Sequence, residues 1–289
     1  TGAIRVEGSI AEDTSGNALE LAVQNGTLNV IAGGNVTLGG LYDPAMLMNQ
    51  AGINGTGYTP LAALPGFQSS TYSSLGDAFR GYFTSYSQDS GVSLTSIAGD
   101  VTIVTAAPGN ASMPFALEGS TNSAILAPAS LAIGAISGDI LTSGNYNSVT
   151  NAGISLIPSA SGTLSLLAGG SIDLLNTSGG TGGANYAITM LDYGSTTTTK
   201  VFVDPLGLPT PTSVSTSPHA ADDGAVLIYA GEDLYGTYNL AKQARLYAGR
   251  DIVNVSLTGQ NNHAGDITSV IAGRDILSKA LFTDGRLGN

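Results

Sequence analysis

Arg245-Leu246-Tyr247-Ala248-Gly249-Arg250-Asp251-Ile252-Val253-Asn254-Val255 is the stretch that decides the fold, and its order of residue types returns in Ser269-Val270-Ile271-Ala272-Gly273-Arg274-Asp275-Ile276-Leu277. In both segments an alternation of apolar and polar residues leads into Ala-Gly. One or two polar residues follow, and a second alternation closes the unit. Period-two alternation predicts a short strand that buries one side. Each unit therefore predicts two strands joined by a corner.

Looser copies of this unit run along the chain upstream. They occupy residues 26–38, 92–104, 131–141, 162–174 and 226–234, with a degenerate copy at 8–10 and 19–23. The last three Ala-Gly pairs start at residues 230, 248 and 272. A spacing of about 20 residues is typical of one coil of a parallel β-solenoid. The repeats therefore predict an all-β fold of this kind.

Two positions in the unit have predicted structural roles. The corner glycine is expected to supply a bend in which φ is positive, at Gly33, Gly99, Gly138, Gly169, Gly231, Gly249 and Gly273. The polar residue after the corner is expected to bond its own backbone in a turn, at Asn35, Asp100, Asp139, Asp233, Asp251 and Asp275. Asp233, Asp251 and Asp275 are expected to stack one coil apart. The neighbouring Arg250 and Arg274 would then offset their mutual repulsion.

Composition excludes several classes of function. The 289 residues carry 9 Lys and Arg against 21 Asp and Glu, a net charge of -12. Nucleic acid and anionic membrane surfaces need a basic face, so neither is an expected partner. The chain has no cysteine, which excludes disulfides and thiolate metal sites. No apolar run reaches the ~18 residues of a membrane helix, so we predict no membrane insertion.

The repeat pattern breaks at residues 41–89 and 191–223, which we interpret as insertions in a single domain spanning 1–289. The first is aromatic-rich, with helix predicted at 44–50 and 74–86. The second predicts a hairpin arm and a Pro-rich loop. A smaller excursion spans 108–128. The remaining residues, roughly 200 in number, predict about ten coils and a rod of about 50 Å.

The aromatic side chains of the first insertion have two interpretations. They either form the small core of the insertion or present a surface for a glycan or protein. The candidates are Tyr58, Phe67, Tyr72, Phe79, Tyr82, Phe83 and Tyr86.

Residues that could carry chemistry are sparse. The pairs Asp222-Asp223 and Glu232-Asp233 are adjacent, and neighbours on a strand face opposite sides. The aspartate stack could alternatively form a calcium or catalytic site. His219 and His263 are isolated in polar loops and lack zinc-ligand spacing, and the glycines of 179–183 predict a flexible turn. We therefore predict no catalytic residue, metal or cofactor.

The Ala-Gly-x-Asp-Ile units resemble the repeats of filamentous haemagglutinin-type exoproteins, the large adhesins of Gram-negative two-partner secretion. Residues 248–252, 272–276, 162–172 and 26–36 carry this resemblance. It implies a right-handed parallel β-helix in a fibre that is secreted and held at the outer cell surface. It also implies an outer-membrane transporter, which another part of the chain would engage, because no Asn-Pro-Asn-Gly-like segment is present here. We therefore expect an internal or distal segment.

Three functions stay open on this basis. The first is a structural stalk and binding surface of an adhesin for cell adhesion or biofilm, without enzymatic activity, that contacts a glycan or protein. The second is a β-helical enzyme that degrades polysaccharide. The third is a self-assembling extracellular filament or matrix protein, in which copies associate end to end through exposed strands.

Overall fold

A computed structural model of the protein describes residues 1–11, 18–42, 86–104, 122–143, 151–174, 186–190, 219, 222 and 224–278. Within these ranges the chain consists of strands and turns, and it contains no α-helix. No helix in this described part is therefore long and apolar enough to cross a membrane. The strands form parallel sheets, which confirms the all-β prediction and is consistent with a β-solenoid.

The strands belong to three sheets. The first sheet has eight strands, in the order β1 (Gly2–Val6), β3 (Thr27–Ala32), β5 (Gly91–Ser96), β8 (Ser130–Ala135), β11 (Leu164–Ala168), β14 (Val226–Ala230), β17 (Ala244–Ala248) and β20 (Ser269–Ala272). The second sheet also has eight, in the order β2 (Leu19–Ala22), β4 (Val36–Tyr42), β6 (Val101–Val104), β9 (Ile140–Ser143), β12 (Ile172–Asp173), β15 (Leu234–Tyr235), β18 (Ile252–Val253) and β21 (Ile276–Leu277). The third sheet has five, in the order β19 (Ser256–Gly259), β16 (Thr237–Leu240), β13 (Tyr186–Met190), β10 (Asn151–Leu156) and β7 (Asn122–Ala127).

Neighbouring strands in each sheet follow one another in chain order, so each pass of the chain places its strands next to those of the previous pass. We call one pass a level. The register keeps equivalent residues above one another, as Val226 with Ala244 and Ala230 with Ala248. Because side chains alternate along a strand, the same face of every level points inward. The inward side chains of all three sheets join one hydrophobic cluster, with Ile228, Ile172 and Ile188 as members from the three sheets.

The described residues form eight levels in the first sheet, whereas about ten coils were predicted. Equivalent corner residues are 18 apart from Asp233 to Asp251, but 32 apart from Asp139 to Ser171, a stretch that lies outside both predicted insertions. The short spacing near the end of the chain therefore does not hold upstream, even outside the insertions. The predicted number was too high for the described levels because it took about 20 residues as the length of every coil.

Two predicted boundaries also change. Asn122–Ala127 lies inside the predicted excursion 108–128, yet it forms strand β7 of the third sheet. Strand β4 runs to Tyr42, so the first two residues assigned to the first insertion belong to the second sheet. Leu41 is buried there.

Most of both insertions lies outside the described residues. This applies to the predicted helix 44–50, to the hairpin arm and the Pro-rich loop, and to the glycine run 179–183. Of the predicted helix 74–86 only Tyr86 is described, and it lies outside any helix. The assignment of residues 1–289 to one domain stays a prediction.

Candidate functional site

A continuous polar ladder runs along the corner between the first and second sheets. At each level one side-chain oxygen accepts a hydrogen bond from the backbone N–H of the equivalent residue in the next level. The distances from the donor nitrogen to the acceptor oxygen, with the donor named first, are 2.9 Å from Asn35 to Ser9, 3.0 Å from Asp100 to Asn35, 2.8 Å from Asp139 to Asp100, 2.6 Å from Ser171 to Asp139, 3.3 Å from Asp233 to Ser171, 3.1 Å from Asp251 to Asp233 and 3.2 Å from Asp275 to Asp251. These eight residues are called the polar ladder below.

The ladder corrects the predicted role of the polar corner residue. The sequence suggested that each such side chain bonds its own turn, whereas the structure shows that it bonds the adjacent level. The physical reason is that stacking places an amide of the next level directly over each side chain. The stacking of Asp233, Asp251 and Asp275 is confirmed.

Two arginines reinforce the ladder at its last levels. Arg250 donates from Nε and Nη2 to the two carboxylate oxygens of Asp233, both at 2.7 Å. Arg274 makes the same bidentate pair with Asp251, with an Nε distance of 2.8 Å. Asp233 and Asp251 are both buried. The predicted offset of charge is therefore confirmed, and each arginine pairs with the aspartate of the preceding level.

These pairs fix the charge state of the corner. The hydrogen bonds from Arg250 hold the pKa of the Asp233 carboxyl below its ordinary value, against the opposing effect of burial. The same contact raises the pKa of Arg250. Both groups are therefore ionised at neutral pH. An aspartate held in this way by an arginine and an amide has a structural role, and it is poorly suited to proton transfer.

The corner glycines follow a different physical rule from the predicted one. Gly26 and Gly236 are the glycines with positive φ in the described part of the chain, and neither is a corner glycine. A Cβ on Gly249 would lie 2.9 Å from the carbonyl carbon of Gly231, in the level below, and closer still to its oxygen. Gly273 stands in the same relation to Gly249. Glycine is required here because successive levels approach too closely for a side chain.

Gly99 and Gly138 do not occupy the same position as the other corner glycines. Ser96 pairs with Ala32, and Ala135 pairs with Ser96, so both take the place of the small interior residue. The corners after them are one residue longer than the Ala-Gly corners. The Ala98-Gly99 letters were aligned with Ala32-Gly33, which placed Ala98 two residues past the true partner of Ala32. In its new position the Ser96 hydroxyl donates to the carbonyl of Gly34 at 2.8 Å.

A buried ion pair lies where the second insertion rejoins the sheets. Lys242 is 1% exposed, and its Nζ donates to Asp222 Oδ2 at 2.6 Å and to the Gly162 carbonyl at 2.9 Å. Burial raises the pKa of Asp222, but the hydrogen bonds from Lys242 and from the Gly224 N–H, together with the charge of Lys242, outweigh burial, so the pKa is lowered overall. The sequence did not predict this pair because three strands, β14, β15 and β16, separate the two residues.

The two histidines have different surroundings. His219 was predicted to be isolated in a polar loop, but it is buried, with Nδ1 3.5 Å from Asp222 Oδ2. His263 lies in a turn as predicted, where Asp266 accepts hydrogen bonds from the N–H groups of Asn262 and His263. Within the residues that the structure describes, no cluster of three or more His, Asp or Glu side chains could hold a metal ion.

The predicted aromatic binding surface is represented by one described residue. Tyr86 is buried and packs in a small cluster with Ala129 and Ile157, so its ring is not a surface contact. The burial agrees with the alternative interpretation of a small core. The other candidates lie outside the described residues: Tyr58, Phe67, Tyr72, Phe79, Tyr82 and Phe83.

An exposed apolar row on the outer face of the first sheet was not predicted. The register aligns Leu167 with Tyr229, Tyr229 with Tyr247 and Tyr247 with Ile271. Their exposed fractions are 43%, 36%, 38% and 53% in that order. The sequence signal was present, because Leu167, Tyr229 and Tyr247 each alternate with buried neighbours along their strands.

Comparison with protein-family models, with curated proteins and with solved structures finds no match to this chain.

Proposed function

We propose that the chain is a segment of a secreted, adhesin-like fibre displayed on the outer surface of a Gram-negative bacterium. In this proposal the three parallel sheets close into a right-handed parallel β-helix. The β-helix acts as a stalk and exposes binding surface along its length. An outer-membrane transporter would export it through another part of the parent protein. The role is mechanical and needs no cofactor.

The observation that supports this proposal is the unbroken polar ladder. It connects all eight levels of the first sheet, from Ser9 to Asp275, in addition to the hydrogen bonds of the sheets. Seven spacings at the usual strand separation of about 4.8 Å give an axial length of about 34 Å. Buried aspartates in these levels bond arginines and amides, so the chemistry of the corner is directed at holding levels together. Such a design suits a load-bearing rod.

Surface labelling tests the proposed function. Antibodies raised against this chain should bind intact cells of the source organism, and protease added outside those cells should remove the epitope. The parent protein should appear in electron micrographs as a fibre whose width matches the β-helix. An epitope that becomes accessible only after the cells are lysed would contradict the proposal.

A second candidate function, self-assembly into a filament, has one specific observation in its favour. Val270 and Ile276 occupy inward positions above Leu246 and Ile252, yet both are exposed. Ile4 is likewise exposed at the other end of the first sheet. Inward side chains are thus exposed at both ends of the described levels, and either another copy or a further level of the parent protein could cover them. Light scattering at rising protein concentration should then show growing particles, and a constant monomer mass would exclude it.

The polysaccharide-degrading enzyme stays an alternative that the ladder does not favour. In the described part of the chain, Asp233 and Asp251 are the buried aspartates, and both are bonded by arginine. Incubation with a panel of glycans and polyuronates, followed by chromatography of the products, decides this point. Cleavage that disappears in an aspartate-to-asparagine variant would establish the enzyme.

A further inference from the structure

Three parallel rows of residues run along the last levels, one on the outer face of the first sheet and two at the corner that follows it. The outer row is Leu167, Tyr229, Tyr247 and Ile271, aligned by the register. The glycine row is Gly169, Gly231, Gly249 and Gly273, two residues further along each strand. The charged row is Glu232, Arg250 and Arg274, which directly follows the glycines. We call the three rows together the axial strip.

The glycine row keeps the middle of the strip free of side chains. A Cβ at Gly231, Gly249 or Gly273 would collide with the backbone of the level below, so the close stacking of the levels excludes any larger residue. A bare track therefore runs along the stacking direction. Rings and aliphatic groups border it on one side, and charged groups border it on the other.

The outer row offers flat apolar surface at a regular spacing. The rings of Tyr229 and Tyr247 lie with centroids 5.8 Å apart and an interplanar angle of 32°. Leu167 and Ile271 extend this surface by one level on each side. Four levels span about 14 Å at the usual strand separation, which suits an extended ligand with a short repeat. Tyrosine supplies an apolar ring together with a polar hydroxyl.

The charged row offers hydrogen-bonding groups without net positive charge. Arg250 and Arg274 bond the aspartates through Nε and Nη2, so the two N–H groups on each Nη1 can serve a ligand. Their side chains are 45% and 61% exposed, and Glu232 beside Arg250 adds an exposed acceptor. Asp233 and Asp251 cancel the two positive charges.

We propose that the axial strip binds a linear, neutral, hydroxyl-rich glycan that runs along the stack of levels. Sugar rings pack their C–H faces on Tyr229 and Tyr247, while hydroxyls bond Arg250, Arg274 and Glu232. A polyanion gains no attraction from this strip and meets a chain of net charge -12. Within the strip a peptide finds no strand edge before β20, because β11, β14 and β17 are each paired on both sides.

This inference deepens the proposed function, because it names a ligand class and a site for the adhesin. The proposed function and the glycan site can each be wrong while the other holds. Surface labelling of intact cells does not depend on Tyr229 or Tyr247, so a displayed fibre that binds no glycan would contradict only the glycan site. Glycan binding by a protein that is not displayed would contradict only the proposed function.

Calorimetric titration of the purified 289-residue chain tests the inference with cellohexaose, laminarihexaose and mannohexaose, and with a galacturonate hexamer as the charged comparator. We expect at least one neutral hexamer to bind, and the galacturonate hexamer to fail. The double variant Tyr229→Ala/Tyr247→Ala should bind about tenfold more weakly or worse. The variant Tyr247→Phe keeps the ring and should retain most of the affinity.

Ile267→Ala is the matched control, since Ile267 is an exposed apolar residue just before β20, at the end of the strand opposite the glycine row. Its affinity should equal that of the original chain. The inference is overturned if no neutral hexamer binds, if the galacturonate hexamer binds best, or if the double variant binds unchanged. A concentration-dependent dimer that the double variant abolishes would also overturn it, because the strip would then be a contact between copies.

Discussion

Replacement of Gly249 by alanine tests whether the levels approach as closely as the structure shows. The added Cβ would lie 2.9 Å from the Gly231 carbonyl carbon and 3.5 Å from its Cα, with the carbonyl oxygen nearer than either. Real Cβ atoms essentially never approach closer than 3.0 Å. The obstacle is backbone, so no side-chain rotation can relieve the contact.

The backbone on both sides is fixed by hydrogen bonds. Gly249 N–H donates to the Ala230 carbonyl at 2.9 Å, and Gly231 N–H donates to the Ala168 carbonyl at 2.9 Å. Relief of the clash therefore stretches the pairing of β14 with β17. Overpacking of this kind costs about 1–3 kcal/mol. The stiffer unfolded chain of the alanine variant returns about 0.4–1 kcal/mol, so a net loss of roughly 1–2 kcal/mol is expected.

Urea denaturation followed by circular dichroism measures the change, and hydrogen exchange of the β14 and β17 amides locates it. Gly259→Ala is the matched control, because a Cβ at Gly259 meets nothing within 4 Å and its φ is not positive. Gly249→Val should be worse than Gly249→Ala. Equal stability of Gly249→Ala and Gly259→Ala would refute the close stacking of the corners.

Three further predictions concern the charged groups. Lys242→Met leaves the partly buried Asp222 carboxylate without its cation and should cost about 3–5 kcal/mol in urea denaturation, and the double variant Lys242→Met/Asp222→Asn should recover part of that loss. The lowered pKa values of Asp222 and Asp233 mean that both carboxylates contribute stability above their unfolded pKa, near 3.8, and lose it as pH falls through the lower folded values. The urea midpoint should therefore stay constant from about pH 7 to 5 and decrease below about pH 4. In Asp233→Asn the midpoint should decrease less steeply below about pH 4 than in the original chain, and an equally steep decrease would contradict the contribution of the Asp233 carboxylate. Arg250→Lys keeps the charge but loses the bidentate geometry and should lower the urea midpoint, while Arg245→Lys, at an exposed position of β17, should leave it unchanged.

The repeats allowed much of the corner to be predicted before the structure was known. The alternation in 245–255 predicted strands β17 and β18, and their inward residues Leu246 and Ile252 are buried. The aspartate stack and its arginines were also predicted, because a strict repeat forces equivalent residues onto the same line. What failed was the direction of the aspartate bond, since a single unit does not show which amide lies above it.

The third sheet and the ion pair escaped the sequence analysis for a related reason. The strands Asn122–Ala127 and Tyr186–Met190 lack the Ala-Gly corner that marked the other units, so no repeated letter pattern pointed to them. Lys242 and Asp222 meet because the chain completes one pass through β14, β15 and β16 and returns to the point where the insertion ended. Contacts of this kind depend on where the insertion ends, which alternation and corner signals do not encode.

The sequence by itself determined that this chain forms short strands with one buried face, that the strands repeat, and that the repeats stack in register. It could do so because alternation and corner residues are local properties that each unit carries in full. Only the tertiary structure decided that the corner glycines serve close stacking instead of positive φ, and that the polar side chains bond the next level. Both depend on distances of a few ångströms between residues that are remote in the chain, and those distances exist only once the levels are packed.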